Sequence, residues 1–220
     1  MANRFLIRKE VYMKPFDLFN IPDHQPEVVK IRNGEYLFVP DFFDKAKSDH
    51  YFNHLFKNSE WKQEEMRMYG KTIKFPRLTA WYGDKPYTYS GITHAARKWT
   101  DVLLEIRGEI ERKAQVSFNS VLLNLYRSGN DSISWHADAE KALGENPIIA
   151  SVSFGVTRKF QLRHNETKEK IQLELGHGSL LIMKGELQHY WQHQVPKTKR
   201  EVEQRINLTF RTIKEVGEAL

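Results

Sequence analysis

From Ser117 onward, short apolar runs alternate with glycine-marked turns, and this pattern limits the fold more than any other feature of the chain. The runs are Val121–Tyr126, Ile148–Phe154, Arg158–Arg163, Ile171–Leu175 and Ser179–Met183, punctuated by Gly155, Gly176, Gly178 and Gly185. Closely spaced strands of this length predict a sandwich or jelly roll, because each must bury a face against a second sheet. The last run, Arg205-Ile-Asn-Leu-Thr-Phe-Arg211, alternates strictly. Ile206, Leu208 and Phe210 share one face, and Arg205, Asn207, Thr209 and Arg211 share the other. Such a strand is either half exposed or turns a polar face toward a ligand.

The N-terminal half reads differently. Gly34–Val39 is strand-like, and Asp44 can cap a helix that carries Tyr51, Phe52, Leu55 and Phe56 at helical spacing. Met66–Gly91 is strand-like and turn-rich, with turns expected at Tyr69-Gly70-Lys71 and Tyr82–Pro86. A second helix is expected from Thr93, with Trp99, Val102, Leu103, Ile106 and Ile110 as its apolar stripe. Two helices ahead of a strand-rich half give an α+β class in which the helices cover one face of a sheet. Residues 1–28, holding Pro15, Pro22 and Pro26, read as an N-terminal arm. Residues 29–220 then form a single domain, with helices and loops over 29–116 and the core strands over 117–213.

Composition removes several classes. The chain has no cysteine, which excludes disulfides and thiolate metal sites. No run approaches the roughly 18 apolar residues of a membrane span, and the charged N-terminus does not read as a secretory signal. An intracellular monomer without a membrane partner is expected, cytoplasmic in a bacterium and open to a nuclear location in a eukaryote. The balance of 34 basic against 28 acidic residues, net +6, leans toward polyanionic partners.

His136 and Asp138 stand two apart on an extended segment, so both can face one ion. His193 is the choice for a third ligand, with His189 as its rival four residues earlier. Two imidazoles and one carboxylate leave coordination positions open, which suits a non-haem Fe(II) that must bind a cosubstrate and oxygen together. His24, His50, His54, His94 and His164 read as surface residues, and His177, between two glycines, as a turn residue. The fork of a guanidinium is well matched to carboxylates. Arg205 and Arg211 lie at the two ends of a strand about 20 Å long. Leaning inward, they would leave about 8 Å between them, the span of a five-carbon dicarboxylate. Asn124 and Tyr126 share a face just before the metal segment and add an amide and a phenol.

Taken together, His-x-Asp, the distal His193 and Arg-x-Asn-Leu-Thr-Phe-Arg resemble the AlkB family of Fe(II)- and 2-oxoglutarate-dependent dioxygenases, most closely its nucleic-acid repair branch. Asn124-x-Tyr126, Ala150–Gly155, Gly178–Met183, and Pro76-Arg77 followed by Tyr82-Gly83-Asp84 support the likeness, which runs from about residue 35 to residue 213. The resemblance implies a double-stranded β-helix with Fe(II) held by His136, Asp138 and His193. It implies Arg205 at the distal carboxylate of 2-oxoglutarate and Arg211 near the metal-bound end, with Asn124, Tyr126, Asn207 and Thr209 assisting. It also implies that O2 and 2-oxoglutarate are consumed while an N-methyl group of 1-methyladenine or 3-methylcytosine is hydroxylated and lost as formaldehyde, on DNA, RNA or both. A base in a duplex must be flipped out to reach such a metal. By the same likeness Tyr82 and Glu140 line the base pocket, and Met68-Tyr69-Gly70-Lys71, ahead of Arg77, forms the substrate-side finger. The rival readings are a same-superfamily oxygenase acting on a protein or other substrate, and a non-catalytic jelly-roll module. The intact triad and both arginines count against the module.

Overall fold

The computed structural model describes residues 27–68, 71–84, 87–89, 92–94 and 96–214. Strands β1 (Val28–Ile31) and β2 (Gly34–Val39) pair antiparallel, so Val28, expected in the arm, already belongs to a sheet; residues 1–26 lie outside the described residues. Gly34 is fixed by a close approach: a Cβ there would stand 2.9 Å from the Cβ of Leu187. Helix α1 (Lys45–Asn58) starts where expected, because the Asp44 carboxylate accepts from the Lys47 amide at the open N-terminal turn. Strands β3 (Glu65–Met68) and β4 (Lys71–Lys74) form a separate hairpin with Met68 opposite Lys71. Strand β5 (Leu78–Gly83) is followed by a second small hairpin, β6 (Tyr87–Tyr89) and β7 (Ile92–His94).

Helix α2 (Asp101–Ala114) begins later than the apolar stripe suggested. Thr93 sits in β7, and the cap is Thr100, whose hydroxyl accepts from the Leu103 amide, with Asp101 at the positive end of the helix dipole. Val102, Leu103, Ile106 and Ile110 are buried as expected, whereas Trp99 precedes the helix and donates its indole N–H to Asp84.

The remaining strands build the core: β8 (Ser120–Tyr126), β9 (Ile133–His136), β10 (Ile149–Gly155), β11 (Arg158–His164), β12 (Lys170–Leu175) and β13 (Ser179–Lys184). After a one-turn helix α3 (Leu187–Tyr190) come β14 (Trp191–Val195) and β15 (Arg205–Arg211). Seven strands pair in the order β1-β2-β13-β10-β15-β8-β5, and four in the order β12-β11-β14-β9, with antiparallel pairing throughout. This is the jelly roll that the closely spaced strands predicted.

Two apolar layers follow from strand alternation. Tyr51, Leu55, Leu103 and Ile106 of the helices pack with Val121, Leu123, Val152 and Leu208 on one face of the large sheet. Leu122, Ile149 and Leu181 of its other face pack with Phe160, Leu162 and Trp191 of the small sheet. Ile206, Leu208 and Phe210 all join the helix-side layer. The polar face of β15 is therefore forced between the two sheets, and every residue of that strand is buried. The half-exposed reading of β15 is excluded.

Candidate active site

Between the sheets lies a cavity that opens to solvent. Strand β8 supplies Asn124 and Tyr126 to its wall, and β15 supplies Arg205, Asn207, Thr209 and Arg211. Opposite them stand His136, Asp138 and His193, whose ligand atoms all lie within 4.8 Å of one another. The antiparallel pairing of β9 with β14 sets His136 directly across from His193, with ring centroids 4.2 Å apart. Asp138 follows just beyond the end of β9. His189, the rival ligand, is exposed on α3 and does not line the cavity.

The electrostatics suit metal binding. Burial pushes the Asp138 carboxyl up, but Arg211 and the two imidazoles outweigh it and hold the group at about 2. Burial, reinforced by His136, pushes His193 down to about 3. Burial also lowers His136, whose Nδ1–H donates to the Ser134 carbonyl at 2.8 Å and leaves Nε2 with its lone pair. At neutral pH the cluster thus offers one carboxylate and two neutral imidazoles. Asp138 Oδ2 and His193 Nδ1 are buried and have no hydrogen-bond partner among the described residues. An oxygen and nitrogen donor set without sulfur fits Fe(II).

The facing wall calls for an anion. Among the described residues, Asp138 is the only carboxylate lining the cavity, against the guanidiniums of Arg205 and Arg211. Arg211 donates to Asp138 Oδ1 at 2.7 Å. Arg205 donates to Ser153 Oγ at 2.9 Å and lies 5.1 Å from the centre of the Tyr126 ring, while its Nε and Nη1 are buried without partners among the described residues. Burial lowers Arg205 to about 10, which leaves it protonated at neutral pH. Two further buried guanidiniums stand behind the wall with neutral acceptors. Arg77 donates to Asn124 Oδ1 at 2.9 Å, and Arg158 to the carbonyls of Ser128, Asp131 and Pro196. Buried cations in excess of carboxylates are costly unless an anion joins them, so a dicarboxylate fits this wall.

Residues 35–211 match the 2OG-Fe(II) oxygenase superfamily. Alpha-ketoglutarate-dependent dioxygenase alkB homolog 3 of Bos taurus is 46% identical over 184 residues, covering 79% of this chain and 64% of that protein. DNA oxidative demethylase ALKBH2 of Homo sapiens is 38% identical over 184 residues, covering 78% of this chain and 70% of that protein. The chain belongs to the AlkB family of 2OG-Fe(II) oxygenases. This AlkB-family chain spans 62–64% of the length of the alkB homolog 3 proteins it matches. The solved structure of OsALKBH1 shares the fold, with a TM-score of 0.62 at 17% identity over 84% of this chain and 100% of that one.

Within this AlkB-family site, the structure gathers the triad and the residues expected at 2-oxoglutarate. Asn207 and Thr209 line the cavity, but the Asn207 amide donates to Ser151 Oγ and the Val152 carbonyl, and Thr209 donates to Asn207. The residues expected at the substrate are scattered. Arg77 is buried behind Asn124. Tyr82 is a correction: its ring belongs to the helix-side layer and its hydroxyl accepts from the Glu60 amide, because alternation along β5 turns Trp81, not Tyr82, toward the inter-sheet layer. Glu140 is half-buried at the head of a single 3-10 turn, Lys141–Leu143. Lys71 is exposed; Tyr69, Gly70 and the side chain of Met68 lie outside the described residues. His164, expected at the surface, is buried against Trp191. His177 is in a turn as expected, accepting from the Gly155 amide. His24 and the side chain of His94 lie outside the described residues.

Four residues that contact the expected site residues escaped the sequence reading. Ser151 and Ser153 carried a usable signal, since they are polar at alternate positions of an otherwise apolar strand. Arg158 and Gln188 carried none, because only the fold reveals that both are buried.

Proposed function

We propose that this chain carries out Fe(II)- and 2-oxoglutarate-dependent oxidative demethylation of N-alkylated nucleobases, such as 1-methyladenine and 3-methylcytosine, in DNA, RNA or both. One observation carries the reading: a His-Asp-His cluster, with Asp138 and His193 buried, faces two buried arginines across a single cavity. The choice of nucleobase rests on the relatives named as DNA oxidative demethylases and on the net charge of +6.

His136, Asp138 and His193 would hold the metal, and Arg205 would grip the distal carboxylate of 2-oxoglutarate. When bound, Fe(II), 2-oxoglutarate and O2 supply the oxidising power that turns N–CH3 into N–CH2OH, with succinate and carbon dioxide as the other products. The N-hydroxymethyl group then expels formaldehyde and returns the base. The chain's own task is preparation. Arg211 keeps Asp138 ionised, burial keeps His193 neutral, and Arg205 presents a fixed fork before anything binds. Leu122, Ile133, Phe160, Met183 and Val195 line the cavity with apolar surface and limit the water that reaches it. Glu140 and the β3–β4 hairpin, with Tyr69 as a wedge into the vacated stack, are the proposed contacts to the base and its strand.

The test is direct. Purified protein with Fe(II), 2-oxoglutarate and ascorbate is given matched oligonucleotides carrying 1-methyladenine or 3-methylcytosine, as single-stranded DNA, duplex DNA and RNA. Formaldehyde release and loss of 14 mass units from the base are expected in at least one. Release from none, with active Fe(II)-dependent succinate production on a protein substrate, would move the chain to the rival substrate class.

A further inference from the structure

We propose that Gln188 is a positioning residue for the metal site: its side-chain amide fixes the backbone of Asp138 and locks two ligand-bearing segments into one frame. The inference rests on the metal reading above.

The sheet delivers only two of the three ligands. The β9–β14 ladder sets His136 opposite His193, and β9 ends at His136. Residues 137–140 have no regular structure, so no sheet neighbour receives the amide of Asp138. That amide donates instead to Gln188 Oε1 at 2.9 Å, between residues that are only 1% and 2% exposed. Gln188 belongs to α3, which runs without a break into β14 and its His193. Leu187, its neighbour, is seated against Gly34, where there is no room for a Cβ. A side chain rooted on the segment that carries one ligand therefore grips the backbone of another.

The orientation of the amide follows from its surroundings. The nitrogen of Gln188 faces the sulfur of Met183 at 3.7 Å, a weak acceptor, so the oxygen is the end turned to Asp138. Asp138 is then held at two points, its backbone by Gln188 and its Oδ1 by Arg211. An apolar side chain of the same size would fill the space but leave a buried N–H without an acceptor. Groups that orient metal ligands in this way commonly change metal affinity by about 10- to 100-fold when removed.

The experiment titrates the full chain with Mn(II), a redox-stable probe, by calorimetry, and measures apoprotein unfolding in parallel. Gln188→Met keeps length and loses the acceptor; it should weaken Mn(II) binding about 10-fold or more. A Met variant that is less stable yet binds Mn(II) as tightly as wild type overturns the inference and leaves Gln188 a packing residue. If the Met variant does not fold, Gln188→Asn, one methylene too short, takes its place; wild-type affinity there overturns the inference equally. Failure of the underlying reading looks different: the wild type itself would then bind no Mn(II), or bind it unchanged in His193→Ala.

Discussion

Arg211 donates to Asp138 Oδ1 at 2.7 Å, with the two side chains 3% and 1% exposed. The strand whose polar face is proposed to hold the cosubstrate therefore also sets the charge of Asp138, a proposed metal ligand. Burial alone would push the Asp138 carboxyl up; Arg211 is the leading influence that pulls it down.

The first prediction follows. In Arg211→Met the Asp138 carboxyl loses that influence and titrates higher, so the acid limit of Mn(II) binding should move to higher pH by about one unit or more. Calorimetric titration across pH 4–8 measures it. Superimposable pH profiles would show that Arg211 does not hold Asp138 ionised.

A second prediction concerns Arg205, whose Nε and Nη1 have no partner among the described residues. Lysine preserves the charge and loses the fork. Arg205→Lys should raise the KM for 2-oxoglutarate about 10-fold or more and change kcat little, since a charged hydrogen bond is worth about 1.5–3 kcal/mol. An unchanged KM would remove Arg205 from the cosubstrate.

A third prediction is acid lability of the metal-free protein. The imidazole of His193 is lowered from 6.5 to about 3, and the carboxyl of Asp138 from 3.8 to about 2. Between each pair of values the unfolded chain binds a proton that the folded chain does not. The His193 contribution is complete above about pH 6.5 and is lost as pH falls toward 3; that of Asp138 is complete above about pH 4 and is lost toward 2. Each group weakens the fold by about 1.4 kcal/mol per pH unit inside its window. Urea unfolding at pH 7 and pH 5 should show the decline, and His193→Asn, which does not titrate, should show less of it. An identical decline in the variant would assign the acid sensitivity elsewhere.

The sequence disclosed the site where periodicity and chemistry coincide. On β15 alternation separates Arg205 and Arg211 from the apolar face, and the packing of Ile206, Leu208 and Phe210 against the helices decides that the arginines point inward. His136 and Asp138 were legible from their chemistry and spacing, although Asp138 lies beyond the end of β9. What escaped depends on which face a strand turns inward, and a short strand does not announce it. Tyr82 and Trp81 are adjacent aromatics on β5, and only the pairing of Tyr82 with Val121 sends Tyr82 to the helix side. The start of α2 was misplaced because Thr93 and Thr100 are both plausible caps, and only Thr100 is followed by a hydrogen-bonded turn. Gln188 gives no signal in the sequence, because only its burial against Asp138 distinguishes it.

The last prediction separates packing from recognition at Tyr82. Its ring is 4% exposed among Leu103, Ile106 and Val121, and its hydroxyl accepts a long bond of 3.4 Å from the Glu60 amide. Removing only the hydroxyl, Tyr82→Phe, should cost less than about 1 kcal/mol and leave demethylation of every oligonucleotide unchanged. Removing the ring, Tyr82→Ala, should cost about 3–5 kcal/mol through the cavity it leaves. For a chain of this size that is a fall in Tm of roughly 6–20 °C. Activity of the Ala variant, measured well below its Tm, should fall equally on single-stranded and duplex substrates, because the loss comes from a loosened sheet and not from the base. A Tyr82→Ala protein with wild-type Tm and a raised KM for methylated oligonucleotides alone would return this tyrosine to the base pocket, against the face of β5 on which it stands.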